Sequence, residues 1–179
     1  MKYVAFLRGI NVGGHKQVSM EELRTAFGSL GFKGVKTLLV SGNVLFEAPA
    51  GNGNTLVAKI ENKLKEVFGH EIGVVLRPLA DLQKLAEANP FKNIKITPDT
   101  RVYVTFLKEK PKTGSKIQSE SRDFKIVWIS DNEVCTAITV SPQRQTTDLM
   151  NFVEKEFGRK VTTRNWNTIV RILKSDSSK

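Results

Sequence analysis

Apolar positions along this chain switch repeatedly between two periods. "KYVAFL" (residues 2–7) is rich in β-branched and aromatic residues, and it is apolar at both odd and even positions. That pattern predicts a strand buried on both faces. After "VS" the spacing changes. Met20, Leu23, Phe27 and Leu30 recur every three or four residues, the stripe of an amphipathic helix. Ser19 and Glu22 have the spacing of a capping box, Val18 can staple onto Leu23, and Gly31 suits a left-handed stop. "VKTLLV" and "VLFEA" are then two strands around "SGN", where Gly42-Asn43 has the composition of a two-residue hairpin turn. A second helix is expected over Thr55–Phe68, with Leu56, Ile60, Leu64 and Val67 inward and Gly69 ending it. "IGVVLR" is a fourth strand, and Pro78 opens a third helix that Asn89-Pro90 terminates.

The order is βαββαβ with a trailing helix, the split βαβ plan of a ferredoxin-like domain. The second half repeats it loosely. "RVYVTFL" is a strand, the polar and basic "KEKPKTGSKIQSES" stands where a helix stood before, and "FKIVWI" and "EVCTAITV" flank a hairpin signal at Ser130-Asp131-Asn132. A helix from about Asp148 to Phe157 and a final extended piece with its helix, "VTTRNWNTIVRIL", complete the plan. The predicted fold class is therefore α+β: two ferredoxin-like halves packed together, the second irregular. Residues 1–89 form one subdomain with its trailing helix, 90–100 a linker and 101–174 the second subdomain. A sheet apolar on both faces needs cover, and the other half or a second copy of the chain would supply it, so a monomer or a homodimer is expected.

Composition narrows the function classes. The chain has 179 residues, 40% hydrophobic and 26% charged, enough for a real core. One cysteine, Cys135, excludes an internal disulfide and a multi-cysteine metal site, and no metal-ligand spacing occurs. No apolar run approaches a membrane span or has signal-peptide flanks, so a cytoplasmic protein without a membrane partner is expected. Net charge is +10 and leans towards the second half: 11 − 8 = +3 over residues 1–89 against 17 − 10 = +7 over 90–179. Such an excess concentrates anions near the surface.

Three signatures stand apart from this framework: "LRGINVGG", "SGNVLFE" and "TRNWNT". Together, in this order and spread over nearly the whole chain, they resemble an uncharacterised bacterial family, domain of unknown function family 1697. The resemblance implies an α+β fold with a duplicated ferredoxin-like organisation and brings no activity, substrate or catalytic residue.

The glycine loop invites comparison with phosphate-binding loops. No Gly-Lys-Ser/Thr follows the glycines, and the capped helix begins only after Ser19, so neither a Walker loop nor a dinucleotide fingerprint is present. Two readings remain: glycines that only shape the backbone, or an anion site flanked by Arg8, Asn11, Gly13, Gly14 and Lys16. Arg164 is read in the first turn of the last helix, where a cation works against the helix dipole, which makes it and Asn165 candidate ligand contacts. Trp166 is read on the buried stripe with Ile169, Val170 and Leu173. Sheet-face RNA binding is disfavoured, because "SGNVLFEA" supplies one aromatic, Phe46, where such domains supply several. Ser41 lacks a nucleophile elbow.

The functional expectation is a binding protein for an anionic ligand, nucleic acid or a phosphorylated metabolite, without a cofactor. The alternatives are an enzyme acting on a small phosphate- or acyl-bearing substrate, with His15 or Ser41 near Arg8, and a protein-interaction module. The first loop and the last helix are expected to cooperate in one site.

Overall fold

The structure, a computed structural model, describes residues 1–13, 17–111, 124–143 and 145–177. Gly14, His15 and Lys16 of the candidate anion loop lie outside the described residues, as does most of the lysine-rich connection. Among the described residues there are eight strands and five helices, which the chain divides between two compact units, Met1–Gln83 and Lys84–Lys179.

The first unit runs β1 (Lys2–Leu7), α1 (Met20–Ser29), β2 (Lys33–Leu38), β3 (Asn43–Glu47), α2 (Gly53–Phe68) and β4 (Val74–Pro78). Its sheet is antiparallel in the order β2-β3-β1-β4. Then α3 (Leu79–Ala88) follows, and the division between the units falls within it. The second unit has β5 (Thr100–Leu107), β6 (Phe124–Ile129), β7 (Glu133–Thr139), α4 (Thr146–Phe157), β8 (Val161–Asn165) and α5 (Trp166–Ser177). Its sheet order, β6-β7-β5-β8, is the first order repeated. The chain is thus a mixed α+β protein of two similar halves, each built on a four-stranded antiparallel sheet.

Period explains each core. In the first unit Tyr3, Ala5 and Leu7 face Leu23 and Phe27 of α1 and Ile60 and Leu64 of α2. Phe27, Phe32 and Phe46 meet with ring centroids 4.6–6.1 Å apart, distances at which aromatic pairs gain beyond simple burial. Val4, Phe6, Leu45 and Val75 on the opposite face are buried too, as the doubly apolar strand predicts. In the second unit Leu107, Val134, Ile138 and Val161 pack against Leu149 and Val153 of α4. Ser19 is the N-cap of α1, as the spacing predicts, with its Oγ accepting from the Glu22 N–H at 3.3 Å.

Several expectations change. The β2–β3 turn is four residues long, 39–42, because β2 pairs through Leu38 with Asn43. Asn43 is a fully buried strand residue rather than a turn residue, and its amide donates to Leu38 O at 2.8 Å and Ser41 Oγ at 3.1 Å. Val67 is 43% exposed, since the α2 stripe curves towards Val57 and Phe68 instead. Arg164 lies in β8, not in a helix: pairing with Val104 of β5 keeps the chain extended through Asn165. The helix therefore starts at Trp166, and its buried face centres on Thr168, Ile169 and Ile172, with Val170 and Leu173 half-buried.

Candidate functional site

The opening loop and the β2–β3 turn form one piece of structure. Leu7 N–H donates to Gly42 O at 2.8 Å, just beyond the last β1–β3 pair. Asn11, at φ 55°, then spans the two segments: its Nδ2 donates to Val40 O at 2.8 Å and to Val18 O at 3.1 Å, while its Oδ1 accepts from Val18 N–H at 2.8 Å. Gly42 has φ 74°, and a Cβ placed on it would lie 2.5 Å from Ile10 Cδ1 and 2.9 Å from Leu7 Cβ. Here glycine is required both by conformation and by the close approach of Ile10. Two of the three signature stretches thus owe their residue types to each other.

The third stretch is similarly engaged. Thr163 Oγ1 lies 2.9 Å from Thr105 Oγ1 across β5–β8. Arg164 is 9% exposed, and its Nη1 donates to Thr162 Oγ1 at 2.8 Å and to Thr163 O at 2.9 Å. Burial pulls its pKa down to about 10, which still leaves it a cation at neutral pH. Asn165 Oδ1 accepts from Asn167 N–H at 2.9 Å and so caps α5. Half-buried Trp166 meets Phe91 edge-on, with centroids 5.2 Å apart.

Arg8 sits differently. It leaves the end of β1 with its N–H donating to Gly73 O at 2.9 Å, and its side-chain stem runs over Gly73, where a Cβ would sit 3.8 Å from Arg8 Cβ. The side chain lines a cleft of about 620 Å³, together with Gly9, Glu61, Asn62, Lys65, Glu71, Ile72 and Gly73. All of these belong to the first unit. Glu61 Oε1 accepts from Val74 N–H at 2.9 Å, which ties α2 to the start of β4. Lys65 Nζ and Glu71 Oε1 form an ion pair at 3.1 Å near the rim.

Of the candidates read from sequence, Arg8 lines this cleft, while Asn11 is occupied by backbone groups and Gly13, at φ 60°, is open to solvent. Arg164 and Asn165 belong to the second unit. Sequence reasoning missed Glu61, Asn62, Lys65 and Glu71. Their trace was present: Glu61 and Lys65 stand at i, i+4, one position on from the Ile60–Leu64 stripe, on the polar flank of α2.

Burial, with the charge of Glu133 adding to it, pushes the Cys135 thiol up to about 12 and makes it inert. Ser41 Oγ accepts from Asn43. Among the described residues no three His, Cys, Asp or Glu side chains cluster as a metal site would require, and no helix is long and apolar enough to cross a membrane.

Residues 1–135 match the family described as "Protein of unknown function (DUF1697)". The chain belongs to that family. It is also similar to a solved structure, that of the conserved bacterial protein SP0830 from Streptococcus pneumoniae, with 22% identity, a TM-score of 0.70 and 97% of each chain covered. At that identity the likeness shows the fold alone. No curated protein matches. Neither the family nor the structural relative assigns a function.

Proposed function

We propose that this is a cytoplasmic binding protein for a small anionic metabolite carrying a phosphate, and that the Arg8 cleft receives it. The observation that carries this reading is the cleft itself: a recess of about 620 Å³ with Arg8 and Lys65 in its wall and the side-chain-free Gly9 and Gly73 beside them. That size suits a small molecule better than a nucleic-acid strand, which needs a continuous basic track. The net charge of +10 draws anions towards the protein before they reach the cleft. Arg8 offers a planar fork of donors matched to phosphate oxygens, and Lys65 offers a mobile point charge. Asn11 and Gly13 act at one remove in this reading, by setting the path of the loop that follows Arg8.

We also infer that both halves are ferredoxin-like subdomains. The order βαββαβ in residues 1–89 and the repeated strand order in residues 101–174 support this, with 90–100 as the connection.

The test is a thermal-shift and calorimetry series with sugar phosphates and nucleotides, against their uncharged parents. A ligand at ~100 Kd adds about 2.7 kcal/mol of stability and raises Tm accordingly. Arg8→Gln and Lys65→Gln are expected to remove the shift. Should no phosphate compound bind, or should Arg8→Gln bind as the wild type does, the reading is wrong. A single-stranded oligonucleotide whose affinity falls steeply with salt would transfer the function to nucleic acid.

A further inference from the structure

The cleft carries as many carboxylates as cations: Glu61 and Glu71 beside Arg8 and Lys65. We propose that its ligand is a zwitterion, a phosphate ester that also bears a protonated amine. This rests on the cleft being the binding site, as argued above. A ligand that is only anionic would enter with two like charges in the wall, and like-charge juxtaposition is how a site rejects a partner. A ligand with both charges meets a complement for each.

The two carboxylates are held in different ways, and the difference assigns their parts. Glu61 is half-buried and fixed, because its Oε1 accepts from Val74 N–H at 2.9 Å. A carboxylate accepts from several donors, and this bond orients the group in the cleft wall. Glu71 is paired with Lys65 at 3.1 Å, but their side chains are 85% and 59% exposed. An exposed pair of this kind contributes little and exchanges readily. A zwitterion can replace it on both sides at once, its phosphate taking Lys65 and its amine taking Glu71, so that neither charge is left without a complement. The Asn62 amide, both donor and acceptor, suits a polar body joining the two groups.

The experiment compares matched pairs by calorimetry at neutral pH: phosphoethanolamine against ethyl phosphate, and glucosamine 6-phosphate against glucose 6-phosphate. The amine-bearing member of each pair is expected to bind about tenfold tighter or more. Glu61→Gln keeps an oxygen for Val74 N–H, and Glu71→Gln sits at the rim, so both variants should fold. Each should shrink the ratio to about threefold or less without weakening ethyl phosphate. Equal binding within the pairs, or a ratio that survives both substitutions, overturns this inference and leaves the anion-binding reading standing. If no member of either pair binds, both fall together.

Discussion

The side-chain amide of Asn11 donates to the carbonyl of Val40, 29 residues away, at 2.8 Å, and so fastens the loop after β1 to the turn between β2 and β3. The same side chain brackets Val18 through two further bonds, and its backbone takes the left-handed conformation that asparagine tolerates better than most residues. Asn11→Ala removes all three bonds and adds left-handed strain. It should lower the unfolding free energy by about 2–4 kcal/mol. Asn11→Gly removes the bonds but not the conformational ease, and should recover about 1 kcal/mol of that loss. Urea unfolding of both variants checks this. Equal losses would mean that the φ of 55° has no cost here.

Gly42 and Gly13 both have positive φ, at 74° and 60°, and they should respond differently to a methyl group. At Gly42 the new carbon meets Ile10 Cδ1 and Leu7 Cβ, the second fixed directly to the β1 backbone, whereas at Gly13 it meets nothing within 4 Å. Gly13→Ala should cost about 1 kcal/mol, the strain alone. Gly42→Ala should cost about 3 kcal/mol or more, since overpacking is added to strain. Thermal melts of the two proteins side by side are sufficient. Similar Tm values would refute the close approach at Gly42.

Local periodicity made the framework legible in the sequence, while the site depended on contacts that no period reports. Ser19, Glu22 and Gly69 act within one turn of where they stand in the chain, so their roles could be read directly. Asn43 and Arg164 were misread for a shared reason. Each sits in a polar stretch that resembles a turn or a helix start, yet long-range pairing with β1 or β5 keeps it in a strand and buries it. The Arg8 cleft is assembled from the end of β1, one flank of α2 and the approach to β4, which adjoin only once the sheet order places β4 beside β1. Arginine stood out as a charge beside glycines. Its acidic neighbours did not, because Glu61 comes from α2 and Glu71 from the segment that leads into β4.

Arg164 is expected to matter for stability and not for ligands. Its guanidinium is buried and donates to Thr162 and Thr163 within the same strand. Arg164→Ala strips donors from buried acceptors and opens a cavity, for a loss of about 2–4 kcal/mol. Arg164→Lys recovers only part of this, because an ammonium cannot reproduce the planar fork. Phosphate-ester affinity at the Arg8 cleft should stay within about twofold of the wild type, about 0.4 kcal/mol. A variant of normal stability with lost affinity would instead return Arg164 to the binding machinery.

Cys135 supplies a pH dependence whose sign follows from its burial. The thiol lies at 0% exposure in β7, with a pKa pushed up to about 12, first by desolvation and then by Glu133. In the unfolded chain the same group titrates near about 8.5. Between those two values the unfolded state holds fewer protons than the folded one, so stability falls as pH rises. The contribution is complete below about pH 8.5 and is lost on the way to about pH 12. Cys135→Ala lacks it. The stability gap between wild type and this variant should therefore narrow by about 1.5–2 kcal/mol between about pH 7.5 and about pH 10, read from urea curves at each pH. In parallel, a thiol-specific disulfide reagent should leave the native protein unmodified at neutral pH and react with one thiol per chain once urea unfolds it. Rapid labelling of the native protein would show that β7 opens far more often than a fully buried strand should.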